Sequence, residues 1–279
     1  MATRVSRLTA AFVSDTFREA FARLVFWGFY GLSTVLILFF LFILKIDIVE
    51  GARATVSLFG QAGPRAMEID KLVRGAHSVV ATFLYTWGMA IAVFASAGLV
   101  PAVLEPGRIE LLLSKPVARH EILLGRFLGS LLVVALNLAY LVTGVWLVFG
   151  WKTGVWRADF LWAIATATFI FAILLSVIFL ASVLFESAAL SVMVTFGLMV
   201  MSPILAQTKL MERLLSSQWS RNLWKSLYHA LPKVFDLGDI TLKLVQGQAV
   251  QSWLPLWTSA AFASVMIALS LTFFARRNY

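Results

Sequence analysis

The stretch FLWAIATATFIFAILLSVIFLASVLFESAALSVMVTFGLMVMSPILAQT, residues 160–208, contains one charged side chain, Glu186, in 49 residues. As a single helix it would be about 74 Å long at 1.5 Å per residue, more than twice the roughly 30 Å hydrocarbon core of a bilayer. The segment is therefore read as two membrane-crossing helices, 160–185 and 187–208, turning at Glu186, although no Gly or Pro marks the turn.

Outward from this pair the same pattern repeats. Between charged residues lie six uncharged runs of at least 20 residues: 24–44, 75–104, 127–151, 160–185, 187–208 and 244–275. Lipid offers backbone amides no partner, so each run must satisfy its own hydrogen bonds as a helix. With their flanks the expected spans are 24–44, 75–104, 122–151, 160–185, 187–208 and 252–275. The composition agrees. Of the 279 residues, 61% are hydrophobic and 13% charged, against about 45–50% and about 25% in soluble domains. A soluble enzyme and a disordered chain are both excluded. The expected fold is an all-α integral membrane protein of six transmembrane helices, forming one domain over 1–279.

The first run is too long for the 7–15-residue core of a cleaved signal, so it is taken as a retained span. The alternative rests on Ala-Arg-Ala at 52–54, and N-terminal sequencing that began near Thr55 would favour it. Residues 5–24 place Val5, Leu8, Phe12, Val13, Phe17, Phe21 and Leu24 on one arc, opposite Arg7, Ser14 and Arg18. This is the pattern of a helix lying in the headgroup region, and 1–24 is read as an N-terminal interfacial helix, with a plain polar tail as the alternative.

Between the last two spans, 209–243 repeats Met211, Leu215, Trp219, Leu223, Leu227 and Leu231 up to Pro232, then Val234, Leu237, Ile240 and Leu244. It is expected to form two short helices on the extracytoplasmic side, either dipping into the outer leaflet or resting on the bundle. Loop 45–74 shows no persistent periodicity.

Orientation follows the density of basic residues. With the N-terminus inside, ten of the 23 Lys and Arg are cytoplasmic: Arg4, Arg7, Arg18, Arg23, Arg108, Lys115, Arg119, Arg126, Arg276 and Arg277. The other thirteen are spread through longer outer loops that hold most of the acids. The inner ten lie near span ends in short segments, which favours cytoplasmic termini. The net charge of +9 suits anionic lipid headgroups, and no nucleic-acid partner is expected.

Most site chemistries are missing. Without cysteine there is no thiol nucleophile or thiolate metal site. No Gly-Lys dipeptide occurs, so no P-loop binds ATP here. His120-Glu121 begins a zinc-protease motif, but Leu124 occupies the second histidine position. His77, His120 and His229 fall in separate flanking regions. The span interiors hold almost no ionisable group, which argues against a proton- or ion-coupled secondary carrier. Asn137, Tyr140 and Thr143 are too few for an intramembrane enzyme and are read as interhelical hydrogen-bonding groups.

One loop carries a specific signal: EPGRIELLLSKPVARHEILLGR, residues 105–126. Gly107 permits a tight turn out of the membrane, Ile109, Leu112 and Leu113 can share one face of a short helix, and Pro116 ends it. Such a segment can be offered to the groove of a soluble partner, or can be a plain connection.

Here the sequence resembles the ABC-2 type permease family of ABC transporters. The family pattern is matched by Glu105, Gly107, Ile109, Glu110, Leu111, Leu112, Pro116, Val117, Arg119, Glu121, Ile122, Gly125 and Arg126. Arg108 stands where threonine is usual, Ala118 where a small hydroxyl residue is usual, and Arg126 replaces lysine. The resemblance implies an exporter subunit in a bacterial inner membrane, paired with a second or homologous permease. Separate ATPase subunits would bind ATP and Mg. It also implies that 105–121, with Glu105, Gly107, Arg108, Ile109, Glu110, Leu111, Leu112, Pro116, Arg119 and Glu121, is a coupling segment, and that 209–243 forms gate-like outer helices. No catalytic, cofactor or metal residue is implied in this chain. The substrate is not encoded legibly, and the low charge of the spans leans towards amphiphiles or lipids. A scaffold that recruits an ATPase without passing substrate remains the alternative to a transporter.

Overall fold

A computed structural model describes residues 24–49, 53–58, 61–62, 67–98, 119–207, 214 and 217–276. Helix α1 (Leu24–Leu38) continues into a π-helical turn, Phe39–Ile43. A small antiparallel sheet follows: β1 (Leu44–Val49), β2 (Arg53–Leu58), β3 (Gln61–Ala62) and β4 (Met67–Glu68). Strand β2 pairs with the other three, with Lys45 opposite Ser57 and Arg53 opposite Glu68. Helix α2 (Ile69–Phe83), a π-turn (Leu84–Gly88) and α3 (Met89–Ser96) form one 28-residue rod. Then come α4 (Arg119–Thr153), a 3-10 turn (Ala158–Leu161), α5 (Trp162–Phe185), α6 (Ala188–Ala206), α7 (Gln218–Ala230), α8 (Val234–Val245) and α9 (Leu254–Arg276).

The body that crosses the membrane is helical. The small sheet in loop 44–68 is an addition that the sequence pattern did not announce. Among the described residues five helices are long and apolar enough to span: Ile69–Ser96, His120–Thr153, Ala158–Phe185, Ala188–Ala206 and Leu254–Arg276. The first expected span is a shorter apolar helix, Trp27–Ile43. The second begins six residues before the expected 75, because α2 carries an amphipathic first two turns that the charge-free criterion left out. The N-terminal interfacial helix lies outside the described residues.

The turn at Glu186 is tight. Glu186 takes a left-handed conformation, φ 51°, which closes α5, and Ser187 caps α6 by accepting from Leu190 N. The hydroxyls of Ser182 and Ser191 are hydrogen-bonded across the hairpin at 2.9 Å. Small polar residues of this kind let two spans approach and pair where lipid gives no hydrophobic drive.

Helix α5 is the central column, and 67% of its span window is buried, against 17% for α9. Ile170, Phe171, Ile173, Leu174, Leu175 and Ile178 are fully enclosed. Around it pack α3, α4, α6, α8 and α9.

Because the spans alternate in direction, one end of the bundle collects the sheet, the 154–161 connection and α8 with its exit. Exposed Trp151, Trp156, Trp162, Trp253 and Trp257 also belong to this end, and such side chains favour a membrane–water boundary. A charged network closes it. Arg157 reaches Asp70 at 3.1 Å and Asp159 at 2.8 Å, while Arg74 binds Asp70 at 2.8 Å and the carbonyl of Gln246 at 3.0 Å. Gln246 in turn donates to Ser78. Gly247, at φ +70°, follows; a Cβ there would stand 3.1 Å from the Arg157 guanidinium.

Candidate functional site: a lateral groove and the opposite loop face

At the other end of the bundle lie the end of α3, the start of α4 and the Glu186 turn. Of the coupling residues expected from the sequence, Glu105, Gly107, Arg108, Ile109, Glu110, Leu111, Leu112 and Pro116 lie outside the described residues. Arg119 is the first residue of α4. Glu121, in the first turn, is 8% exposed, where a carboxylate complements the positive helix end. Arg126, a turn further on, is also buried.

Polar groups inside the bundle pair between helices. Ser33 Oγ stands 3.0 Å from the Asn137 side-chain amide and 3.0 Å from the carbonyl of Phe29. Both Asn137 Oδ1 and the Phe29 carbonyl are acceptors, and the single Ser33 hydroxyl proton is donated to one of them at a time. Thr34 and Tyr140 share a second bond at 3.1 Å. These contacts fasten α1 to α4. Lys152 adds a third tie by donating to the carbonyl of Phe40 within the first π-turn.

The three histidines are apart. His77 is buried, stacked on Phe160 at 4.1 Å and set edge-on to Phe149. His120 and His229 are exposed at opposite ends of the bundle. Among the described residues no group of three or more His, Asp or Glu could hold a metal.

A feature missed by the sequence reading is a groove of about 380 Å³ between the α2–α3 rod, α6 and the start of α8. Its walls include Tyr85, Trp87, Ala90, Phe196, Met199, Val200 and Phe235. Two local irregularities shape it. The Leu84–Gly88 π-turn carries Tyr85, Thr86 and Trp87, and π-turns occur disproportionately at functional sites. Pro203, inside α6, deprives the carbonyl of Met199 of its usual helical donor. The Tyr85 ring also rests against the backbone of α8 at Gly238, where a Cβ would lie 2.8 Å from it.

Next to the groove is a small polar notch lined by Ser202, Tyr228, Leu231, Lys233 and Asp236. Tyr228 donates to Asp236 at 2.6 Å, and burial with that carboxylate pushes its phenol well above the ordinary value. The Lys233 ammonium sits 4.6 Å from the centre of the Tyr228 ring. The described part of the segment before the last span thus separates into two unlike helices. In α7 no residue is buried and Trp219, Leu223 and Leu227 stay exposed, whereas α8 buries Val234, Leu237 and Ile240 among the spans.

Five helices long and apolar enough to cross a bilayer, among the described residues, define a multi-pass integral membrane protein. A family model described as ABC-2 family transporter protein matches residues 15–279, and the chain belongs to that family. It is thus a permease, the transmembrane subunit of an ABC transporter, and its family implies association with ABC ATPase partners. No curated protein matches the chain.

Proposed function

We propose that this permease forms half of the translocation pathway of an ATP-driven exporter in a bacterial inner membrane. It pairs with a second copy or a homologous permease, and separate ATPase subunits bind ATP and Mg. Segment 105–121 docks on the ATPase and passes its motion to the spans. In this reading α1 is the sixth span and both termini are cytoplasmic.

The observation that carries the reading is the connection at the loop face. The rod ending at Ser96 and the helix beginning at Arg119 are 28 and 35 residues long. They are the described helices on either side of that segment in the chain, so a displacement passed along the chain would tilt two rods of about 42 and 53 Å through the bilayer. Helix α6 supports pairing, because Met193, Phe196 and Val200 leave its outer face apolar and exposed.

Gly107→Pro and Leu112→Asp are expected to abolish ATPase copurification while leaving the chain inserted. Normal copurification with both variants refutes the docking role. The chain has no cysteine, so single cysteines placed at 108 and 246 report sidedness cleanly. Labelling of position 108 from outside the cell overturns the orientation.

A further inference from the structure

We propose that β1 is a seam between two copies of this chain: its outer edge pairs antiparallel with β1 of a second copy, with Ile46 opposite its own counterpart and Lys45 opposite Asp47 of the second copy. The inference rests on the proposed pairing of two permeases and narrows it, because a strand that complements itself calls for a second copy rather than a homologue.

Strand β1 is six residues long and, among the described residues, pairs with β2 alone, while β2 also pairs with β3 and β4. It therefore stands at the edge of the sheet. An edge strand presents a row of backbone N–H and C=O groups without ladder partners, which is a template for one more strand. The register also makes the sheet two-faced. Leu44, Ile46 and Ile48 oppose Leu58, Val56 and Ala54, and alternation sets these six apolar residues on one face, whereas Lys45 and Asp47 oppose Ser57 and Thr55 on the other.

The order Leu44-Lys45-Ile46-Asp47-Ile48 commits that edge to a copy of itself. About a two-fold axis at Ile46, each Lys45 falls opposite Asp47 of the other copy and each Leu44 opposite Ile48 of the other copy, so two opposite-charge pairs and the apolar face continue across the seam. Moving the axis by one residue either way sets Lys45 against Lys45 or Asp47 against Asp47. Like charges directly opposite are destabilising, so the sequence selects one register. The location agrees with the proposed pairing. Helix α1, which leads into β1, and α6, whose apolar face supports that pairing, both pack against α3.

The test is disulfide cross-linking of the full-length chain in native membranes with copper phenanthroline; the chain has no cysteine of its own. Residues directly opposite in a ladder have Cα atoms about 4.5–5.5 Å apart, within disulfide reach, whereas position 44 would be about 14 Å from its own counterpart, beyond it. Ile46→Cys alone is therefore expected to yield a covalent dimer of the chain, Leu44→Cys alone none, and Leu44→Cys coexpressed with Ile48→Cys a mixed dimer. In the Ile46→Cys chain, Asp47→Lys opposes lysines twice and should lower the dimer yield about fourfold or more, and adding Lys45→Asp should restore it, which a misfolded chain would not do. Counting fluorescently labelled chains per complex in the same membranes separates this inference from the reading beneath it. Two permeases per complex with no dimer from Ile46→Cys, equal yields from positions 44 and 46, or an unchanged yield in Asp47→Lys overturns the seam and leaves the pairing standing; one permease per complex overturns both.

Discussion

Replacing Asp70 by asparagine tests whether the charged network holds the sheet end of the bundle together. The Asp70 carboxylate lies between two guanidiniums, Arg74 at 2.8 Å and Arg157 at 3.1 Å, and through them ties α2 to the 154–161 connection and to the exit of α8. The Arg157 side chain is 20% exposed and Asp70 36%, so the site falls between two regimes. Exposed ion pairs contribute about 0–1 kcal/mol, and removing one partner of a buried pair costs about 3–5 kcal/mol. The intermediate burial suggests a loss of about 2 kcal/mol for Asp70→Asn. Arg157 retains Asp159, which keeps the loss below the buried limit. At about 2–4 °C per kcal/mol for a chain of this size, the melting temperature in detergent should fall by about 4–8 °C. The molecule carries its own control: the Lys71–Glu68 pair is 73% and 56% exposed, so Lys71→Ala, which removes about 0–1 kcal/mol, should shift melting by no more than about 4 °C. If Asp70→Asn melts no lower than Lys71→Ala, the network is not structural and the argument fails.

Gly238→Ala puts a methyl group 2.8 Å from the Tyr85 ring, and overpacking of this kind costs about 1–3 kcal/mol. A lowered melting temperature that Tyr85→Ala restores in the double variant is expected. Ser33→Ala should loosen α1 from α4 by about 0.6–1.7 kcal/mol, the range of interhelical hydrogen bonds in membranes, read as faster proteolysis or exchange in α1. Tyr228 has its phenol pKa raised by burial and by Asp236 above its ordinary value of 10.0. The stabilisation is whole below pH of about 10 and fades as pH rises towards the folded value, because the unfolded chain loses its proton first. Between pH 9 and 11 the wild type should therefore lose melting temperature more steeply than Tyr228→Phe, and parallel curves would contradict the assignment.

The hairpin at Glu186 was legible because length alone forbids 49 residues in one crossing. The pairing of Asn137 and Tyr140 with another helix was legible because polar groups in lipid need partners; that the partners are Ser33 and Thr34 of α1 was not. The periodicity of 209–243 revealed two helices, but read both apolar stripes alike. Packing buried the stripe beginning at Val234 and left Trp219, Leu223 and Leu227 exposed. In the sheet of 44–68 the six-residue β1 and β2 were overlooked in a loop read as lacking periodicity, and β3 and β4 are only two residues long. Two-residue strands hold too few positions for alternation to register. The groove could not be foreseen either, since Tyr85 and Val200 are 115 positions apart and neither belongs to a motif.

Sequence alone determined the solvent in which this chain folds, the approximate number of crossings and the loop that marks its family, since each of these follows from local composition over 20 residues or so. Tertiary structure decided which spans are central and which face lipid. In water the apolar face of a helix identifies its buried side, but in a bilayer buried and lipid-facing side chains are equally apolar. Leu174 at the centre of α5 and Leu269 on the surface of α9 are the same residue type, told apart only by what packs against them.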